Sequence, residues 1–329
     1  MTQQAGSSGN LRYIIYGAGA IGGILGGYLA LSGKDVVMVA RPGHVEAIRK
    51  NGLKLMTPNG THELKVNAVT SPREISFKPG DVVLLTVKSQ DTGAALRDLK
   101  AVVEEIPVFC FQNGIRNEET TSRYFKQVYG VRVGIGGVFV TNGEVTSRTV
   151  PPGAPTMGRY PTGTDSLVET VAADLRAAGF RVLVTPDIMP YKWGQIISNL
   201  ANAVTAITSS PNDDNRTIID AARAEAQDIM TRAGIKWVSE DEFVRQWPDG
   251  KVKIVHSRFQ NSTWQSLTRR QGTVETDFFN GEIVRLAGKA GVPAPVNGGL
   301  LRIVQEMASR KETPGKYDVP QLSKLLGLA

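Results

Sequence analysis

Apolar positions along the chain fall into two regimes. Up to about residue 186, short apolar runs alternate with polar and glycine-bearing segments: Tyr13 to Tyr16 (YIIY), Val36 to Ala40, Asp81 to Val87 and Val108 to Phe111. Runs this short suit strands buried on both faces of a parallel sheet. Small and apolar residues after the first run continue to Leu31 as a helix requires, and Pro42 to Lys50 reads as a second, shorter helix. Gly52 to Val69 reads as two polar-apolar strands joined by the turn signal Pro58-Asn59-Gly60. From Val131 to Arg159 glycines alternate with β-branched residues, predicting further strands; Asp165 to Ala178 reads as a helix and Phe180 to Val184 as a last short strand. Beyond Thr185-Pro186-Asp187 strand signals thin out. Helical periods take over at Met189 to Ser209, Thr217 to Ala233, Ser257 to Thr268, Glu275 to Ala290 and Gly298 to Ala308.

The first run leads straight into Gly17-Ala18-Gly19-Ala20-Ile21-Gly22. A G-x-G-x-x-G between a strand and a helix binds a dinucleotide. The first glycine permits the tight turn, the second lets a pyrophosphate approach the backbone, and the third lets the helix pack close on the strand. The second strand ends in Arg41, where an NAD site usually carries an acidic residue for the ribose 2′-hydroxyl; an arginine accommodates a 2′-phosphate, which favours NADP. These patterns predict an α/β N-terminal Rossmann-type domain with a mostly parallel sheet over residues 11–186. An all-α C-terminal domain follows over 187–329, and residues 1–10 form a disordered N-terminus.

Composition narrows the partners. The 329 residues are 41% hydrophobic and 21% charged, as in an ordinary soluble protein, and the length suffices for two domains. The formal charge of +7 comes from dispersed basic residues with no aromatic-interleaved patch, so no nucleic-acid partner is expected. No apolar run reaches the length of a membrane span, and Met1 to Asn10 lacks the basic start and apolar core of a signal peptide. The single Cys110 excludes a disulfide within the chain and fits a reducing, cytoplasmic compartment.

Candidate chemistry gathers at two places. Lys88 follows the strand that begins at Asp81, and Gln112-Asn113-Gly114 follows the one that begins at Val108, both at the carboxyl edge where a parallel sheet presents ligands. Lys88 suits a cofactor phosphate or a substrate carboxylate; the amides suit a nicotinamide, a ribose or a substrate, or make a plain turn. Farther on, Lys192, Gln195, Asn199 and Asn202 in KWGQIISNLANAVTAI are spaced to share one helical stripe, while Trp193, Ile196, Ile197, Leu200 and Val204 make the rest apolar. A polar stripe on such a helix is paired with another helix or lines a cavity. Ser262 and Glu275 read either as helix caps or as site residues.

Taken together these pieces resemble the ketopantoate reductases (2-dehydropantoate 2-reductases). The matching segments are GAGAIGG at 17–23, Arg41, TVKSQDT at 86–92, FQNGIRNEE at 111–119, the KWGQIISNLANAVTAI helix, NSTWQSL at 261–267, VETDFFNGEIV at 274–284 and GVPAPVN at 291–297. The resemblance implies NADPH-dependent reduction of a 2-oxo acid to a 2-hydroxy acid. Gly17 to Gly22, Arg41, Lys88, Gln112, Asn113 and Glu275 would hold the cofactor, with Arg41 and Lys88 on its 2′-phosphate and Asn113 beside the nicotinamide. Asn199, Asn202 and Ser262 would hold the substrate. Asn199 and Glu275 would serve catalysis, joined by Lys192 as the only cation that the helical stripe offers, with no metal and a homodimer as a possible assembly. One place departs from the family: its catalytic lysine lies four residues before the first helix asparagine, where this chain has Gln195, and Lys192 stands about one turn, 5.4 Å, earlier. The departure leaves open a paralogue acting on another oxo compound, or a non-catalytic NADP-binding protein.

Overall fold

The computed structural model describes residues 11–210, 214–248, 252–254, 261–270 and 272–328. The N-terminal segment expected to be disordered lies outside them, as do the first residues of the helix expected from Ser257. The elements of the first half are β1 (Arg12–Tyr16), α1 (Ala20–Leu31), β2 (Asp35–Val39), α2 (Pro42–Asn51), β3 (Leu53–Thr57), β4 (Gly60–Leu64), β5 (Asn67–Val69), β6 (Asp81–Leu85) and α3 (Thr92–Lys100). There follow β7 (Val108–Cys110), α4 (Asn117–Ser122), β8 (Val128–Arg132), β9 (Gly137–Val138), β10 (Glu144–Ser147), β11 (Thr149–Val150), β12 (Thr156–Arg159), α5 (Ser166–Ala177) and β13 (Leu183–Val184).

One eight-stranded sheet runs β13-β12-β8-β7-β6-β1-β2-β5. From β5 across to β8 every pairing is parallel, and β12 joins β8 antiparallel, carrying β13 with it. From β1 the chain builds outward to β2 and β5, then returns to place β6 on the other flank of β1. This reversal is a switch point, where an open α/β sheet leaves a crevice at the carboxyl ends of its strands. Successive residues of β1 serve opposite faces, as the two-residue period of a strand requires. Tyr13 and Ile15 pack with Leu25 and Leu29 of α1 and Val168 and Val171 of α5. Ile14 and Tyr16 pack with Leu96 and Leu99 of α3. Both faces are covered, which is why the strand reads apolar throughout.

One expectation for this half changes. The segment from Gly52 to Val69 yields three strands: β3 and β4 form the hairpin across Pro58-Asn59-Gly60, but β5 leaves it to pair parallel with β2 at the sheet edge. The hairpin belongs to a second sheet, β4-β3-β10-β9, and Val145 of β10 packs so tightly on α1 that a Cβ at Gly23 would overlap it.

Beyond Ile188 come α6 (Met189–Asn199), α7 (Ala201–Thr208), α8 (Arg216–Arg232), α9 (Glu240–Arg245), β14 (Lys253–Ile254), α10 (Ser262–Thr268), a 3-10 turn over Glu275–Phe278, α11 (Asn280–Ala290), α12 (Pro295–Ser309) and α13 (Val319–Leu325). The single helix expected from Met189 to Ser209 is thus two, with Leu200 between them. Helices α9 and α13 escaped the periodicity because they are short, yet each opens on a capping box, Ser239 with Glu242 and Asp318 with Gln321. The strand β14 was not expected either; it pairs antiparallel with β11. Alanine, valine and isoleucine side chains of α7 pack with α8, α12 and α13 in one core, and Trp193, Ile196 and Ile197 of α6 pack with α8 and α11 in another. The chain divides into two compact units. Of the described residues, one unit holds 11–112, Asn117–Ile188 and β14; the other holds Asn113–Arg116 and the helical remainder.

Candidate active site

The glycine loop is shaped by contacts that only hydrogen side chains allow. Gly17 leaves β1 at φ 111°, where a side chain is strained, and a Cβ there would stand 2.6 Å from the Val87 amide nitrogen. At Gly22 a Cβ would come within 2.6 Å of Thr86 Oγ1, which donates to the Gly17 carbonyl at 2.9 Å. Gly19 is different: nothing lies within 4 Å of where its Cβ would be. The helix α1 begins at the next residue with no side-chain cap and no acidic residue in its first turn. The first amides of a helix lack internal acceptors and carry partial positive charge, so this open, uncapped end fits a pyrophosphate. The variant Gly17→Ala is expected to cost about 1–3 kcal/mol through backbone strain alone. It should lower Tm and abolish dinucleotide binding in a fluorescence titration; a normal melt with normal binding would show that the loop tolerates a Cβ.

Arg41 and Lys88 stand at the carboxyl edge on either side of this loop, because β2 and β6 are the two neighbours of β1. The carbonyl of Arg41 accepts from the amides of His44 (3.0 Å) and Val45 (3.1 Å), which starts α2. Its side chain is exposed and makes no hydrogen bond or ion pair to a described residue. Lys88 is half-buried and precedes the 3-10 turn Ser89–Asp91. Gln112 is buried, and its Nε2 donates to the Val87 carbonyl and to Thr92 Oγ1, each at 2.8 Å. Thr92 in turn donates to Asn117 Oδ1 at 2.9 Å, and Asn117 Nδ2 to Ser89 Oγ at 3.2 Å. The amide nitrogen of Gln112 thus ties the loops after β6 and β7 together, and both of its bonds are made inside the protein.

Asn113 is half-buried and clusters, with Gly114, Ile115 and Arg116, among the helices. Sequence reasoning gave Arg116 no role. Its Nε is ion-paired with Glu282, its Nη2 donates to the Asp277 carbonyl at 3.3 Å, and its guanidinium lies 4.6 Å over the Phe278 ring. Glu282 is fully buried and also takes Arg285 at 2.7 Å. A glutamate on the buried face of α11 was the available signal, since such a charge is held only with a basic partner.

Along α6 and α7 the polar stripe is not uniform. Lys192 is 2% exposed and is engaged within the protein, whereas Gln195, Asn199 and Asn202 remain half-buried. Ser262 is not the cap of α10. That place belongs to Asn261, whose Oδ1 accepts from the Trp264 amide at 3.0 Å and whose Nδ2 donates to the Asn202 carbonyl at 3.3 Å and to Thr205 Oγ1. This double anchoring fixes the start of α10 against α7. The side chains of Asn199, Asn202 and Ser262 make no hydrogen bond to any described residue. Glu275 is nearly buried, is engaged within the protein, and opens the 3-10 turn instead of capping α11, which begins five residues later. Among the described residues no His, Cys, Asp and Glu cluster is arranged to hold a metal ion, and no helix is long and apolar enough to cross a membrane.

Comparison with known proteins follows the same two-part layout. Residues 13–162 match the family described as ketopantoate reductase PanE/ApbA, and residues 187–308 match its C-terminal counterpart. The 2-dehydropantoate 2-reductase of Pyrococcus horikoshii is 33% identical over 307 residues, spanning 91% of this chain and 98% of the relative. That of Archaeoglobus fulgidus is 32% identical over 305 residues, with the same shares of each. The crystal structure of a PanE/ApbA family ketopantoate reductase from Ralstonia eutropha JMP134 is similar at a TM-score of 0.78 and 28% identity, covering 92% of this chain and 99% of that one. With both halves matched in order and near-complete coverage of the relatives, the chain belongs to the ketopantoate reductase family of oxidoreductases.

Proposed function

We propose that the chain reduces 2-dehydropantoate to pantoate with NADPH. The observation that carries the reading is the trio Asn199, Asn202 and Ser262, half-buried polar side chains that spend no hydrogen bond on any described residue and are therefore available to a small polar acid. Arg41, exposed at the end of β2 and paired with no described residue, supports a cofactor with a 2′-phosphate, with Lys88 as its companion. A dinucleotide held there would supply the hydride for the carbonyl carbon. The chain has then to stabilise the charge that gathers on the carbonyl oxygen and deliver a proton to it. Lys192 is the only cation on α6 and α7, and we assign it the proton, with Asn199 orienting the carbonyl and Glu275 closing the site from the α11 side.

A second reading has its own observation: Gln195 occupies the place of the lysine that the family resemblance implies, and an amide donates a hydrogen bond but no proton. On that reading the substrate is another oxo compound. Turnover of NADPH on 2-dehydropantoate against a panel of 2-oxo acids separates the two, and failure on the whole panel overturns both. Asn199→Ala and Ser262→Ala are each expected to raise KM for the acid about tenfold, in line with roughly 1.5 kcal/mol for a hydrogen bond to a charged group. Cofactor affinity should stay unchanged. Unaltered kcat/KM in either variant would remove that residue from the site.

A further inference from the structure

His44 lies on the first turn of α2, three residues after Arg41, and is 2% exposed. Its Nδ1 accepts from the Gly143 amide at 2.8 Å, and its ring meets Phe139 edge to face at 4.7 Å. A ring nitrogen that accepts keeps its lone pair, so the neutral ring carries its proton on Nε2. That nitrogen is buried and completes no hydrogen bond with a described residue. Its neighbour is the carbonyl of Ala18, close enough to favour a proton on the ring, and Ala18 is the second residue of the glycine loop. The turn before β10 presses on α2 elsewhere too: a Cβ at Gly43 would stand 2.8 Å from Asn142 Nδ2, and one at Gly143 3.0 Å from Ala47 Cβ. The same Gly143 accepts from the Lys54 amide at 2.8 Å, which ties the turn to β3. One imidazole therefore sits where the glycine loop, the start of α2 and the second sheet meet.

We propose that His44 is a positioning residue of the dinucleotide site: as a neutral ring between the Gly143 amide and the Ala18 carbonyl it fixes Arg41 relative to the glycine loop, so that cofactor affinity depends on its protonation state. The proposal rests on reading Gly17 to Gly22 and Arg41 as the cofactor site. Protonation would place a hydrogen on Nδ1, directly against the Gly143 N–H, and the bond would be lost. Burial already holds the ring below its ordinary pKa. The charged groups on the packed elements do not offset this. Arg41 and Glu46 are exposed on α2, Arg49 is paired with Glu74 and Glu144 with Lys54, and none of them moves the ring's proton affinity. The glycine loop and the Phe139 to Gly143 turn bring no titratable side chain. The sign follows: if the cofactor binds the neutral form, affinity is full at neutral pH and declines as pH falls through the His44 midpoint.

The test combines binding with a direct view of the ring. NADPH dissociation constants are measured by fluorescence titration from pH 5 to 8 on the full chain and on His44→Asn and His44→Leu, while the His44 ring is followed by NMR with and without NADP. In the parent chain the affinity is expected to fall about tenfold per pH unit below the midpoint, and NADP should lower that midpoint by the reciprocal linkage. Asn places an oxygen where Nδ1 accepts and does not titrate, so His44→Asn should bind within a few-fold at neutral pH with a flat profile. His44→Leu should bind about tenfold more weakly. A parent profile that is flat while the ring titrates, or a midpoint unmoved by NADP, overturns the proposal. If the parent binds no dinucleotide at any pH, it is the cofactor-site reading that fails, and the proposal goes with it. A His44→Leu that does not fold leaves the decision with His44→Asn, whose pH profile would then have to be flat.

Discussion

Lys192→Met is expected to lower kcat by about two to four decades at saturating NADPH, the loss typical of removing a general acid. Methionine keeps the length and apolar body of the side chain and deletes the ammonium. The assignment has two physical supports. Lys192 is the only basic side chain on α6 and α7, and it stands about one turn before Gln195 and two before Asn199 on the same helix. Its 2% exposure adds that the side chain is kept from bulk water, which suits a donor whose proton has to arrive in one direction. The same burial means that the substitution also tests folding, so Tm and kcat are to be measured together. A lowered Tm with unchanged kcat in the folded fraction would make Lys192 a structural cation and send the proton to water near Glu275. Gln195→Lys is the complementary variant. It restores the spacing that the family resemblance implies and is expected to keep or raise turnover of 2-dehydropantoate. No gain there, with a silent Lys192→Met, would leave a different mechanism for this chain.

Arg41→Asp is expected to weaken NADPH binding about ten- to hundredfold, the range set by losing hydrogen bonds to a charged group at roughly 1.5–3 kcal/mol, with like-charge repulsion added. NADH binding should change little, since NADH has no 2′-phosphate. The side chain is exposed and makes no hydrogen bond or ion pair with a described residue, so the ratio of the two dissociation constants isolates the phosphate. Equal losses for both cofactors would withdraw the preference for NADP. Because the attraction acts in a solvated place, the NADPH advantage should also shrink as salt is raised.

Much of the fold was legible before any coordinates. Short apolar runs on β1, β2, β6 and β7 are the direct imprint of a sheet covered on both faces, and the glycine spacing fixed the turn from β1 into α1, because Gly17 and Gly22 sit where a Cβ meets Val87 and Thr86. The family could be read because its motifs recur in order across both halves. What failed was non-local. Nothing in Asn67–Val69 says that it leaves a hairpin for the edge of another sheet, and nothing in Lys253–Ile254 says that it pairs with β11. A two- or three-residue strand carries too little periodicity to reveal its partner, which is chosen by distant chain.

Residue types and spacing by themselves determined an α/β half with a dinucleotide-binding glycine motif, a helical half, an arginine at the end of the second strand and a set of polar positions on one helix. Tertiary structure alone decided which of those polar groups are free. Asn261 took the cap that Ser262 was offered and left the Ser262 hydroxyl without a partner among the described residues; the interior used the Gln112 amide nitrogen; Glu282 claimed Arg116; and the His44 ring came to rest between the Gly143 amide and the glycine loop. The reason is the same in each case. A buried polar group must find a partner, and which partner it finds depends on segments far away in sequence, so a helical stripe can be read from spacing but its unpaired members cannot.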